Sequence, residues 1–134
     1  GSHVTGGGLT EQGKEYVKLA MRTNDGKCTD RLLAFIEANP SLDVGGIINA
    51  SYGLSGESGE LNDYIKKAIF HGHTIDGVKL EKEIGDCCWY IAMMCESFGF
   101  DLDVIFRMNI KKSEERYPEG FSEERSIHRK EGDV

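Results

Sequence analysis

Twice in this chain an acidic pair sits inside a stretch whose apolar residues recur at helical spacing, and that conflict limits the possible folds more than any other feature. The pairs are Glu57 with Glu60 and Glu83 with Asp86. At 3.6 residues per turn, positions three apart lie on one side of a helix, so each pair projects together. On a helical wheel Glu57 falls within the arc of Leu54, Leu61, Tyr64 and Ala68, and Glu83 falls among Leu80, Cys87, Tyr90, Ile91, Met94 and Phe98. A carboxylate turned toward a core is costly unless it is paired or metal-bound, and several together repel one another.

The surrounding pattern is that of an all-α chain. Leu9 to Met21 reads as a weak first helix with Tyr16, Val17 and Ala20 as its apolar face. Asp30 is a plausible N-cap for a short second helix through Ile36. From about Asp43 to Phe70 the periodicity predicts one long helix, even though Gly53, Gly56 and Gly59 each cost about 1 kcal/mol against alanine in a helix interior. Close approach of another helix or a ligand is the expected return. Residues 70–77 form a connection containing His71 and His73, read as solvated histidines with contact to a ligand as the alternative. A fourth helix runs from about Val78 to Phe98 and stops at Gly99; Asp101 caps a fifth reaching to about Tyr117, before Pro118.

Glu57-Ser58-Gly59-Glu60 followed by Tyr64-Ile65 is echoed 26 positions later by Glu83-Ile84-Gly85-Asp86 followed by Tyr90-Ile91. An antiparallel pair of these helices would bring the acidic pairs together, with Gly59 and Gly85 expected to let the backbones approach. Oxygen-only ligands suit Mg2+, with Mn2+ as a substitute. The competing reading is a structural ion-pair cluster using Lys66 or Lys67. Along the last helix the stripe Leu102, Ile105, Asn109, Lys112, Arg116 turns from apolar to cationic, as a phosphate-facing surface would. Trp89 lies off the Glu83 face and suits subunit packing.

Composition sets the remaining bounds. The 134 residues, 39% hydrophobic, match one domain over 9–121, with a tag-like leader (1–8, beginning Gly1-Ser2-His3) and a polar, mobile tail over 122–134. A net charge of −7 argues against a nucleic-acid polymer as partner. No apolar run is long enough for a membrane helix and no secretory signal is evident, so a soluble, cytoplasmic protein is expected. The four cysteines, two of them adjacent, read as reduced and mostly buried thiols.

The ordered set Gly53-Leu54-Ser55-Gly56-Glu57-Ser58-Gly59-Glu60-Leu61, then Glu83-Ile84-Gly85-Asp86 with Trp89-Tyr90, resembles the MazG-type all-α nucleoside triphosphate pyrophosphohydrolases. Asn109-x-x-Lys112 and Arg116-Tyr117-Pro118-Glu119-Gly120-Phe121 resemble the closing motif of small phage-type and bacterial members, so the resemblance spans about Asp43 to Phe121. It implies a helical bundle completed by homo-oligomerisation as a dimer or tetramer. It also implies Mg2+ bound by Glu57, Glu60, Glu83 and Asp86, and cleavage of a nucleoside triphosphate to monophosphate and pyrophosphate. Asn109, Lys112, Arg116 and Tyr117 become candidates for phosphate or sugar contacts. Many members begin the first motif with two adjacent glutamates where this chain has Gly56-Glu57, which leaves the metal count and the general base open. Phosphoribosyl-ATP, dUTP and dCTP are alternative substrates on such a scaffold, and a non-catalytic nucleotide-binding or assembly module is the alternative from another class.

Overall fold

In a computed structural model of the chain, which describes residues 11–121, the helices are α1 (Glu11–Ala20), α2 (Cys28–Ala38), α3 (Val44–Phe70), α4 (Gly77–Phe98) and α5 (Leu102–Arg116). The protein is all-α. No strand forms among the described residues; an isolated bridge joins Pro118 and Gly120. No helix among them is long and apolar enough to cross a membrane. The leader and the tail assigned to 1–8 and 122–134 lie outside the described residues.

Two compact units divide at Ser41 and Leu42. In the first, α1 ends in a single 3-10 turn, Met21–Thr23. Helix α2 begins two residues before Asp30, which therefore occupies its first turn and is not its N-cap. The cause lies upstream. Asn24 Oδ1 accepts from Gly26 N–H and Asp25 Oδ1 from Lys27 N–H, both at 3.0 Å, and Gly26 takes a left-handed φ of 73° that turns the chain into the helix early. Arg31 then reaches back to the Asp25 carboxylate, and its guanidinium holds that acid below the usual range.

The second unit is organised around α3 and α4. Asp43 caps α3, its Oδ1 accepting from Gly46 N–H at 3.1 Å, while its own N–H donates to Ser97 O at 3.2 Å at the far end of α4. Asp76 caps α4 by accepting from Val78 N–H at 3.0 Å. Gly99, at φ 76°, closes α4 in the left-handed conformation that lets Phe100 N–H reach Cys95 O at 2.9 Å. Asp101 caps α5 by accepting from Asp103 N–H at 2.9 Å.

Partners along α3 and α4 run in opposite order, since Asp43 meets Ser97, Asn49 meets Met93, Gly53 meets Tyr90 and Tyr64 meets Lys79. The pair is antiparallel, as the six-residue connection requires. The close approach is not at Gly59 and Gly85, beside which a methyl group would meet open space. It is at Gly53, where a methyl would overlap the Tyr90 ring, and at Gly46, where it would overlap the Ser97 hydroxyl and the Asp43 carboxylate. Among the described residues the buried apolar ones are few: Val44, Ala50 and Cys95. The four cysteines are free, but the expectation of mostly buried thiols fails, because Cys28 and Cys88 are exposed and Cys87 is half-buried.

Candidate metal centre

Antiparallel packing brings the first acidic pair of α3 against that of α4. One carboxylate oxygen from each of Glu57, Glu60 and Glu83 lies within 4.8 Å of the others. Asp86 is not in this group. It lies one turn further along α4, where it shares with Glu57 a recess of about 370 Å³ walled by Trp89 and Tyr90. Trp89 meets Tyr90 edge-on with ring centroids 5.1 Å apart and is largely exposed.

The electrostatics of this cluster are unfavourable as it stands. Glu57 and Glu83 are half-buried, and Oε2 of each is sealed from solvent with no hydrogen-bond partner. The Glu57 carboxyl is pushed up to about 7 from 4.5. Glu83 contributes most, by favouring a proton held between the two carboxyls; desolvation follows, and the charges of Glu60, Glu83 and Asp86 add to it. Lys66 and Lys67 do not relieve the crowding. They pair instead with Asp63, at 3.4 and 2.8 Å, and hold that acid below its ordinary value. Among the described residues none of the four motif carboxylates enters an ion pair, so a structural salt-bridge cluster is not what forms.

A larger cleft of about 620 Å³ opens beside the cluster, lined by Gly56, Gly59, Glu60, Asp63, Tyr64, Lys67, His73, Lys79 and Glu83. Gly56 and Gly59 leave its floor bare, which is the return for two glycines in a helix interior. Tyr64 organises the loop end: its hydroxyl donates to Thr74 O at 3.2 Å and accepts from Asp76 N–H at 2.7 Å, and Lys79 Nζ lies 4.7 Å above its ring. At an exposed site such a cation–π contact contributes about 0.5–1 kcal/mol. Neither Asp63 nor Lys79 is among the residues that the sequence points to, and Tyr64 reads there as apolar lining. Steps of three or four from Gly56 through Glu60 and Asp63 to Lys67 are a visible signal of one shared face. Lys79 has no such signal, because its partner ring comes from another helix.

The α5 candidates are placed elsewhere. Lys112, Arg116 and Tyr117 are half-buried and Asn109 is exposed, and none of the four lines either carboxylate recess. His73 lines the larger cleft, and its ring lies edge-on to His71 with centroids 6.5 Å apart.

An all-α chain whose two central helices crowd three glutamates beside an open cleft, with no basic partner among the described residues, presents an acidic site with the donor set of a divalent-cation centre. The family follows from comparison: the model of the MazG nucleotide pyrophosphohydrolase domain matches residues 49–121, more than half of the chain, and the protein belongs to that family. The matched segment holds both acidic pairs and all of α4 and α5. The chain is also similar to the "Gene 37 protein" of Mycobacterium phage L5, with 29% identity over 84 residues, covering 58% of this chain and 71% of that protein. No solved structure matches it.

Proposed function

We propose that this protein is a Mg2+-dependent nucleoside triphosphate pyrophosphohydrolase that cleaves between the α and β phosphates, yielding a nucleoside monophosphate and pyrophosphate, and that it serves nucleotide-pool house-cleaning. The observation that carries the reading is the convergence of Glu57, Glu60 and Glu83 within 4.8 Å, with no basic partner among the described residues. Such crowding is destabilising unless a cation relieves it. The Oε2 atoms of Glu57 and Glu83 are buried acceptors that a cation would satisfy, and an all-oxygen donor set fits a hard divalent ion. Glu57, Glu60 and Glu83 would hold it, with Asp86 joining from the adjoining recess; Mn2+ is the natural substitute. When bound, the ion supplies charge neutralisation on phosphate oxygens and a lowered pKa for the attacking water.

The chain's own groups do the rest. The bare floor at Gly56 and Gly59 admits the phosphate chain to the carboxylates. Water attacks phosphorus, the bond to the departing pyrophosphate breaks in line, and a carboxylate of the cluster takes the water's proton. Asn109, Lys112, Arg116 and Tyr117 would contact phosphate or sugar. Because they do not line the recesses of the single chain, that role requires α5 to close over the site or to come from a second copy.

A homo-oligomer is part of the same proposal. Helices α3–α5 leave Ile65, Ile69, Ile84, Trp89, Phe106 and Ile110 exposed, whereas few apolar side chains are buried. The test is a panel of nucleoside triphosphates incubated with the protein and Mg2+, with products separated by ion exchange. Monophosphate plus pyrophosphate is expected, and the panel ranks the bases, including dUTP and dCTP. Diphosphate plus orthophosphate would move the protein to another reaction, and no product from any nucleotide would make it a binding module.

A further inference from the structure

We propose that Lys79 is a substrate-binding residue of the carboxylate cleft, where its ammonium, held over the Tyr64 ring, grips the phosphate chain of the nucleotide and the pyrophosphate that leaves. The inference rests on the pyrophosphohydrolase reading and adds a cationic subsite on α4 to it.

Lys79 and the metal-site acids Glu60 and Glu83 line one cleft. Lys67, also in that lining, is already committed to Asp63 at 2.8 Å. Among the described residues Lys79 enters no ion pair, and the contact that places its ammonium is the Tyr64 ring, 4.7 Å away. That ring is a fixed platform, since the Tyr64 hydroxyl is bonded to the backbone at both Thr74 and Asp76. The position is also poor for helix stability. Lys79 is the third residue of α4, where the helix dipole disfavours a cation, and it precedes Glu83 by four residues in the weaker order for such a pair. Helix formation alone would favour an acid here. What a lysine does offer is three rotatable donors on a compact charge, suited to phosphate oxygens.

The test titrates the full chain and its Lys79→Gln and Lys79→Arg variants with inorganic pyrophosphate in Mg2+ by calorimetry, with KM and kcat measured in parallel. Lys79 is exposed and glutamine is a good helix former, so both variants fold. Lys79→Gln is expected to weaken pyrophosphate binding and raise KM about tenfold, as loss of one charge-assisted contact would. Lys79→Arg restores most of the affinity, and Mg2+ binding without pyrophosphate stays as in the parent. Unchanged pyrophosphate affinity and KM in Lys79→Gln, beside a parent that releases monophosphate and pyrophosphate, overturns the Lys79 role alone. Equal losses in both variants with weakened Mg2+ binding mean a structural role and overturn it too. A parent that neither turns over a nucleotide nor binds pyrophosphate removes the proposed function along with it.

Discussion

Glu57 of α3 and Glu83 of α4 oppose one another across the helix seam, each with its Oε2 sealed from solvent and unbonded, and the pair holds the Glu57 carboxyl up at about 7. The native state therefore binds more protons than the unfolded chain between 4.5 and about 7. The contribution of Glu57 to metal-free stability is most favourable below 4.5 and is lost as pH rises through about 7. A cation competes with the same proton. Calorimetry of Mg2+ binding should show affinity climbing as pH rises toward 7 and levelling above it, with proton release close to one per site at about pH 6 and near zero at about pH 8.5. Binding that is independent of pH across this range would exclude Glu57 as a ligand.

Removing that charge should reverse sign with metal. Without Mg2+, Glu57→Gln relieves repulsion and raises the midpoint of thermal unfolding at about pH 8. With saturating Mg2+ the parent gains stability by mass action and the variant gains little, so the order inverts. Differential scanning fluorimetry with and without Mg2+ tests this on one plate.

Turnover should depend on the acids that flank Glu57 without the fold depending on them. Glu60 and Asp86 are exposed and make no ion pair among the described residues. Glu60→Gln and Asp86→Asn should each lower kcat/KM by more than about 100-fold, beyond what loss of an outer-sphere contact costs. Circular dichroism should remain that of the parent. Near-normal activity of both in Mg2+ would remove the metal-centre reading.

Much of this was legible in the chain because its signals are local. Asp43, Asp101 and Gly99 mark helix ends by chemistry within a few residues, and the long helix through Gly53, Gly56 and Gly59 appears with the bounds that apolar periodicity predicts. Helix α2 starts earlier than Asp30 suggests, since Asp30 is a good cap in isolation but the Asn24-Asp25-Gly26 turn acts first. The repeat points to Gly59 and Gly85 as the helix crossing. Where two helices touch depends on their offset, though, and the offset sets Gly53 under the Tyr90 ring. The cleft's basic wall was illegible for the same reason, because Lys79 acquires its meaning only from Tyr64 on the neighbouring helix.

The glycines of α3 should separate by role. Gly53→Ala forces a methyl into the Tyr90 ring and should destabilise the protein by about 1–3 kcal/mol, the usual cost of overpacking. Gly59→Ala meets nothing within 4 Å and should stabilise the helix by about 0.5–1 kcal/mol, while raising KM by narrowing the cleft floor. Urea midpoints for the two variants, compared with kinetics, distinguish a packing glycine from a substrate-side one.

Helix α5 is where the proposed second copy would bear most directly on the site. Phe106, Met108 and Ile110 are 57, 65 and 58% exposed, and neither of the two carboxylate recesses described above is lined by Lys112 or Arg116. Among the described residues the buried apolar ones are Val44, Ala50 and Cys95, so much of the apolar surface whose burial offsets the conformational entropy of folding stays exposed. A homo-oligomer that buries this face would supply the missing burial, and it could set one copy's cations before the other's carboxylates. Light scattering should give a mass of at least twice the 14.9 kDa of one chain, and the thermal midpoint should rise with protein concentration. Phe106→Glu and Ile110→Glu should dissociate the assembly and reduce turnover in parallel. A monomer with full activity and a concentration-independent midpoint would show that α5 serves the site, if at all, within its own chain.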